Sequence, residues 1–436
     1  MKIGVLGTGW VGLVTGNCLA NLGNDVSFYD IDENKINSLK NQICPIYEPG
    51  LQELIIKNKN KTTYSTRPDE AIKDKDILFI TVGTPADEDG CVDLRYIKQI
   101  SRTIGENLNP QNFCLILNKS TSPPEALDII EEEIKEIEKN NNIKYDYEIG
   151  CCPETLAEGT AIKDFSNPDR IIVGIKSEIA KGLVQKLFRP YALNQAEIIF
   201  IGPKEASLAK YASNTHLAAR VAITNVISQI ARKYNANTRE IMKAVGKDRR
   251  IGQKFLHPSL GFGGSCFSKD IQALTFLSKQ KELPGSTLLQ EIINSNKSHT
   301  EHLIKDLLEH FNSLENKKIT ILGTAFKANV SDTRDSPAHR LIKILLELNA
   351  DITVYDPKAM EETKKEFGDK INYAENENQA TEGSSALIIA TEWDIFRSLD
   401  LPNIKNKMQE NPFFGDYRAL YNEKELKDLG FKYYHV

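Results

Sequence analysis

The residue in this chain best suited to covalent chemistry is Cys266, in the stretch Gly261-Phe262-Gly263-Gly264-Ser265-Cys266-Phe267-Ser268-Lys269-Asp270. Closely spaced glycines let the backbone take positive φ and lie against a bulky ligand, because no Cβ stands in the way. The stretch presents Cys266 from a loop, with Lys269 near enough in sequence to favour the thiolate, the nucleophilic form. Asp270 begins what reads as a helix (Ile271, Leu274, Phe276, Leu277) and would serve there as cap or as base. The plainer alternative is a glycine turn before a helix, with a buried, inert cysteine. Lys210 and Asn214 stand four residues apart, so a helix would carry both on one face; alone, such a pair is more often a solvated surface pair.

A dinucleotide site is legible at the start of the chain. Lys2–Gly7 (KIGVLG) is a short apolar run bounded by glycine, as in a buried parallel strand. Gly7-Thr8-Gly9-Trp10-Val11-Gly12 follows and opens a helical pattern through Leu22, and a second strand, Asp25–Asp30, ends in a carboxylate. Strand, glycine turn, helix, strand and acid in that order form the dinucleotide fingerprint. The turn admits a pyrophosphate to the helix N-terminus, and the acid bonds the ribose hydroxyls. A carboxylate at Asp30 repels a 2′-phosphate, so NAD is expected rather than NADP.

The net charge is −5, from 55 basic and 60 acidic residues. Nothing therefore draws the whole chain to nucleic acid or membrane, and a polyanionic ligand must be held by local basic groups. The length of 436 residues allows two or three domains, each with its own core. The start, MKIGVLGTGWVG, has no signal-peptide character, and no apolar run is long enough to span a membrane. Seven cysteines without a CxxC pair suit a reducing cytoplasm. The vicinal Cys151 and Cys152 are expected at a buried strand end. His299 and His302 sit three apart, but His310 is off their face and no carboxylate completes a set, so no metal site is expected.

The elements that must position these groups alternate as in a doubly wound α/β fold. Strands are predicted at Asp76–Val82, Phe113–Leu117, Tyr147–Cys152, Arg170–Ile175 and Ile198–Gly202, with helices at Asp93–Asn107 and Pro124–Lys139. Lys119-Ser120-Thr121 and Pro153 to Gly159 follow strand ends, the edge where such sheets bind ligands. A helical pattern free of glycine and proline runs from Glu205 to about Tyr234 and suits a domain connector or a subunit interface. After a helical region to about Phe311 the chain restarts. Lys318–Gly323, a helix over Ala338–Leu348 and Asp351–Asp356 repeat the opening pattern without GxGxxG, and Leu387–Thr391 and Phe413–Asp416 add strands. Glu375–Thr381 reads as a loop. The expected architecture is α/β: two Rossmann-like doubly wound parallel sheets joined by a helical middle domain with one long helix. The domains are placed at 1–203, 204–314 and 315–436.

With these pieces in place, the whole chain resembles the UDP-glucose/GDP-mannose dehydrogenase family. The resemblance rests on the glycine fingerprint, Pro45-Ile46-Tyr47-Glu48-Pro49-Gly50-Leu51, Val82-Gly83-Thr84-Pro85, Lys119-Ser120-Thr121, Leu156-Ala157-Glu158-Gly159, Lys210 with Asn214, GFGGSC, and Phe326-Lys327 with Asp332-Thr333-Arg334. It implies NAD as cofactor and oxidation of a nucleotide sugar, UDP-glucose to UDP-glucuronate, by a homodimer or larger assembly. By resemblance Cys266 is the nucleophile, with Lys210, Asn214 and Thr121 around the reacting oxygen and Glu154 and Asp270 as candidate bases. The implied cofactor contacts are Gly7, Gly9, Trp10, Val11, Gly12, Asp30, Lys35, Thr84, Thr121, Glu158, Lys269 and Arg334. Glu154, Leu156, Glu158, Lys210, Asn214, Lys254, Phe255, Gly263, Phe326, Lys327 and Arg418 would hold the UDP-sugar, and Arg250 would reach it from a neighbouring subunit. Thr155, Asp335 and the order Gly415-Asp416-Tyr417-Arg418 depart from the family's usual pattern.

The implied chemistry explains why a cysteine is needed. Taking a primary alcohol to an acid is a four-electron change, and one hydride transfer leaves a reactive aldehyde. A thiolate captures it as a thiohemiacetal, which can lose a second hydride and become a thioester. Relatives acting on GDP-mannose or a UDP-N-acetylhexosamine would share this route. A two-electron hydroxyacid dehydrogenase would explain neither Cys266 nor the second α/β unit, and a non-catalytic nucleotide sensor has no use for a nucleophile.

Overall fold

The structure, a computed structural model, describes residues 1–87, 89–193 and 195–436. The chain divides into two units, Met1–Ser213 and Asn214–Val436.

The first unit is built on a sheet of β1 (Lys2–Leu6), β2 (Asp25–Tyr29), β3 (Thr62–Ser65), β4 (Ile77–Ile80), β5 (Cys114–Asn118), β6 (Tyr147–Cys151), β7 (Arg170–Gly174) and β8 (Glu197–Ile201). The order is β3-β2-β1-β4-β5-β6-β7-β8. Neighbours are parallel except β6 and β7, which meet antiparallel through Cys151 and Gly174. β4 and β5 are buried along their whole length, which is why they read as unbroken apolar runs: helices cover both faces of a parallel sheet. The strand order reverses between β1 and β4, so the glycine turn after β1 lies at the switch point where such sheets take ligands. Cys151 and Cys152 are buried at the end of β6, as expected.

In the second unit β9 (Lys318–Leu322), β10 (Asp351–Tyr355), β11 (Asn372–Tyr373), β12 (Ala386–Ile389), β13 (Phe413–Asp416) and β14 (Lys432–His435) form an all-parallel sheet, ordered β11-β10-β9-β12-β13-β14. Its turn after β9 differs in use from the one after β1. Asp356, at the end of β10, is buried and accepts the Thr324 and Ala325 N–H groups and the Trp393 indole. That carboxylate is consumed by its own turn, which agrees with the missing glycine fingerprint.

The helical part differs from expectation in two places. The long helix spans Pro203–Lys233, beginning on a proline that the first turn tolerates. The cysteine helix spans Gly264–Gln280 and does not start at Asp270, so Cys266 lies in its first turn and Asp270 is an interior residue, not a cap. Glycine propensity and the usual capping role of aspartate argued for the later start. The helix is entered through Gly264, whose φ of +83° suits glycine and whose N–H donates to the Arg334 carbonyl. Likewise Glu377–Thr381 is a short helix, not a loop, because the Asn376 side chain caps it.

Among the described residues no helix is long and apolar enough to cross a membrane.

Candidate active site

At the glycine turn the three fingerprint glycines have three different surroundings. A Cβ on Gly7 (φ +111°) would meet the Thr81 carbonyl oxygen at 2.7 Å, and one on Gly12 the Gly7 carbonyl at 2.0 Å. A Cβ on Gly9 would meet nothing within 4 Å. Gly7 and Gly12 thus let helix and strands close up, while Gly9 leaves open space at the start of the helix Trp10–Asn21. Unpaired N–H groups of a first helical turn beside open space fit a pyrophosphate. Asp30 Oδ2 accepts both the Thr8 N–H and the Thr8 hydroxyl at 2.7 Å, holding the acid at the mouth of the turn. Lys35 is turned toward Asp32, 3.8 Å away. These residues fit a dinucleotide, whose chemistry when bound is hydride acceptance.

Beside the turn, the Thr84 hydroxyl donates to the Thr121 carbonyl at 2.7 Å, so two expected cofactor residues are brought together. Past β6, Lys119 Nζ faces the carbonyls of Cys152 (3.4 Å) and Pro153 (3.5 Å) and fastens the segment that delivers Glu154. Glu154 Oε2 takes Lys210 Nζ at 2.8 Å, and the two side chains are only 4% and 7% exposed. Its other oxygen accepts the Leu156 N–H. Leu156 and Glu158 are half-buried along the same loop.

In the second unit Asn214 Nδ2 donates to Asp270 Oδ2 at 2.6 Å, and Lys269 Nζ lies 3.3 Å from Asp270 Oδ1. Cys266 and Asp270 are four residues apart on the cysteine helix and so share a face. Cys266 is half-buried, with the Ser265 hydroxyl 3.6 Å from its sulfur. A thiol in the first turn of a helix lies where the backbone N–H groups and the macrodipole favour an anion. Each glycine of the motif has a steric reason. A Cβ on Gly263 would stand 2.4 Å from the Asp335 carbonyl, and one on Gly264 2.8 Å from the Phe326 ring.

The remaining expected ligands are divided. Phe326 is half-buried with Lys327 Nζ 5.4 Å from its ring centroid, and Lys254 and Phe255 are exposed. The Arg334 guanidinium pairs with Asp332 at 2.7 Å on the surface. Arg250 is 89% exposed and pairs with Asp248. Arg418 is different: it donates to the carbonyls of Ala390 (2.8 Å) and Phe326 (2.9 Å) and meets Glu392 at 3.0 Å. Its guanidinium is used by the fold to place Phe326.

Three family models of one architecture match in sequence along the chain. The UDP-glucose/GDP-mannose dehydrogenase family's NAD binding domain matches residues 1–192, its central domain 204–298 and its UDP binding domain 320–423. The chain belongs to the UDP-glucose/GDP-mannose dehydrogenase family. As a member it is an NAD-dependent oxidoreductase with a nucleotide-binding C-terminal domain. It is 36% identical over 437 residues to a UDP-glucose 6-dehydrogenase of Bacillus subtilis, covering 100% of this chain and 93% of that one. A UDP-glucose 6-dehydrogenase of Rhizobium meliloti is likewise 36% identical, with 99% and 98% covered. Among solved structures, a UDP-glucose dehydrogenase from Pyrobaculum islandicum superposes with a TM-score of 0.91 at 30% identity, covering 100% of this chain and 97% of that one. A UDP-D-ManNAc dehydrogenase from Pyrococcus horikoshii does so at 0.85 and 26%, covering 100% and 99%.

One residue of this dehydrogenase that sequence reasoning left without a role is Glu48. Buried, it accepts the Trp10 indole N–H (2.8 Å) and the backbone N–H groups of Gly159 (2.8 Å) and Ala161 (2.9 Å). It thereby ties the glycine turn to the segment carrying Leu156 and Glu158. The PIYEPGL motif was the available signal, but nothing local in it says what the glutamate touches.

Proposed function

We propose that this enzyme carries out the NAD-dependent four-electron oxidation of UDP-glucose to UDP-glucuronate through a covalent intermediate on Cys266. The observation that carries the reading is the cysteine helix. Its first turn holds the thiol, and one turn on it holds a carboxylate already oriented by Asn214. The first oxidation removes a hydride and a proton from the sugar CH2OH. The Cys266 thiolate adds to the resulting aldehyde carbon, and Lys210 and Asn214 donate to the oxyanion so formed. A second hydride loss converts the thiohemiacetal to a thioester. Water, ordered by Thr121 and deprotonated by Glu154 or Asp270, releases the carboxylate and returns the thiol. In total, one UDP-glucose, two NAD and one water give one UDP-glucuronate, two NADH and three protons.

In this reading Asp30 and Lys35 serve the adenosine ribose. The glycine turn with Trp10 and Val11, together with Thr84, Lys269 and Arg334, serves the rest of the cofactor. Leu156, Glu158, Lys254, Phe255, Gly263, Phe326 and Lys327 serve the UDP-sugar, and Arg418 serves it by placing Phe326. Substrate choice rests on the relatives named UDP-glucose 6-dehydrogenase. The Pyrococcus horikoshii structure supports a UDP-N-acetylhexosamine as the second reading. The assembly is a homodimer or larger, supported by exposed Ile223, Val226 and Ile230 along the long helix, with Tyr234 just past its end. Arg250, held out in solvent, would serve a neighbour's site. None of the seven cysteines is in a disulfide, which supports a cytoplasmic setting.

The deciding experiment follows NADH with UDP-glucose, UDP-N-acetylglucosamine, UDP-N-acetylmannosamine and GDP-mannose in parallel. Two NADH per UDP-glucose and no free aldehyde are expected. A ratio near one would overturn the four-electron route.

A further inference from the structure

The loop that leads into the cysteine helix is buried, yet it belongs to no sheet or helix. Ser259, Leu260, Gly261 and Phe262 are all sealed from solvent, so their peptide groups need partners from elsewhere. Side chains supply them. Asn225 Oδ1 accepts the Ser259 N–H (2.9 Å), His299 bonds the Ser259 carbonyl (2.8 Å) and the Thr300 hydroxyl donates to the Leu260 carbonyl (3.1 Å). Asn296 does more than any of these. Its Oδ1 accepts the Phe262 N–H at 2.8 Å and its Nδ2 donates to the Phe262 carbonyl at 2.9 Å. One carboxamide thus engages one residue's peptide groups from both sides, as a neighbouring strand would.

Two further observations fix that contact. Gly261 has φ +127°, and a Cβ there would stand 2.6 Å from Asn296 Oδ1. The first glycine of the motif is therefore required by the closeness of Asn296. Asn296 is itself held, since Arg340 Nη1 donates to its carbonyl at 3.1 Å, and the residue is 3% exposed. Only Gly263 separates Phe262 from the start of the cysteine helix, and Cys266 lies in that helix's first turn. A shift at Phe262 therefore moves the entry to the turn that carries the sulfur.

We propose that Asn296 is a positioning residue for Cys266: its two bonds to Phe262 set the point from which the cysteine helix starts and so where the thiol stands. This rests on the reading of Cys266 as nucleophile. His299 and Thr300, one turn along the same helix (Ser286–Phe311), steady the loop behind it.

The test uses the full chain with Asn296→Ala and Asn296→Asp. The first readout is the rate of iodoacetamide labelling at Cys266 as a function of pH, with no sugar nucleotide present. The second is steady-state kinetics with UDP-glucose and NAD. Asn296→Ala should label at Cys266 about tenfold more slowly or with a displaced pH midpoint. Its kcat should fall about a hundredfold, the scale expected for misplacing a reacting group by an ångström, with both KM values within about threefold of wild type. Asn296→Asp keeps the acceptor but not the donor and should fall between. Should Asn296→Ala fail to fold, Asn296→Asp decides by the same readouts. A folded variant with wild-type labelling and wild-type kcat would overturn the proposal. Labelling reports where Cys266 stands whatever reaction it serves. Failure of the nucleophile reading, seen as turnover by Cys266→Ala, is therefore a separate result.

Discussion

Lys210 Nζ and Glu154 Oε2 are 2.8 Å apart in a site almost closed to water, which makes each the condition for burying the other. Removing one partner of such a pair leaves an uncompensated buried charge and costs about 3–5 kcal/mol, whereas replacing both is often neutral. Lys210→Met should therefore lose stability as well as activity. The double variant Lys210→Met/Glu154→Gln should regain most of the stability and none of the turnover. Chemical denaturation beside steady-state rates separates the two effects. A fully stable Lys210→Met would show that the pair is not closed in solution.

Cys266→Ala should bind NADH and UDP-glucose as wild type does and lose acid formation by about a thousandfold or more. Selective labelling gives a companion check. Burial pushes the thiols of Cys18 and Cys114 up to about 12, and it also raises Cys44, Cys151 and Cys152. These five are poor nucleophiles at neutral pH. Peptide mapping after brief iodoacetamide treatment should find Cys266 labelled well ahead of them, and UDP-glucose should protect it.

Asp30→Ala should raise the NAD KM and relax the rejection of NADP. The loss is about 1.5–3 kcal/mol, the range for hydrogen bonds to a charged group. Because Asp30 also holds Thr8, Thr8→Val is the needed control: it removes the hydroxyl bond and leaves the charge. Loss of NADP rejection in the control as well would trace discrimination to the shape of the turn instead of the carboxylate.

His299 predicts a pH dependence of stability. Burial first, then the nearby His302 and Arg232, lower its pKa to about 4 against the bond to the Ser259 carbonyl. Gln229 Nε2 lies 2.6 Å from Nδ1, which suits a neutral ring donating from Nε2. The unfolded chain binds a proton near pH 6.5 and the folded one only near 4, so stability is lost as pH falls through this window and is unaffected above it. The contribution at pH 5 relative to pH 8 is a loss of about 2 kcal/mol, at 1.36 kcal/mol per unit. Urea unfolding of wild type and His299→Gln at both pH values should show a smaller pH effect in the variant. Equal pH effects would refute this account.

The proposed assembly through the long helix predicts that Ile223→Glu/Ile230→Glu lowers the mass seen in light scattering to that of a monomer, since it puts charge on the exposed apolar residues of that helix. A wild-type mass in the double variant would place the interface elsewhere.

Local rules determined much of this protein from sequence alone. Alternating strands and helices, the turn Gly7 to Gly12, the acid at Asp30 and the helix bearing Lys210 and Asn214 were all legible. Each depends on periodicity or φ within a few neighbouring residues, and the order of those residues carries that information directly. The partners were not legible. Glu48 meets the Gly159 N–H across 111 positions, Lys210 meets Glu154 across 56, and Asn296 meets Phe262 across 34. Such bonds between side chains and distant groups form only where packing brings the two together and excludes water. The start of the cysteine helix shows both levels at once. Locally, glycines and an aspartate argue for a beginning at Asp270. The Arg334 carbonyl, reaching Gly264 N at 2.9 Å, is a tertiary contact across the chain, which no local propensity foretells.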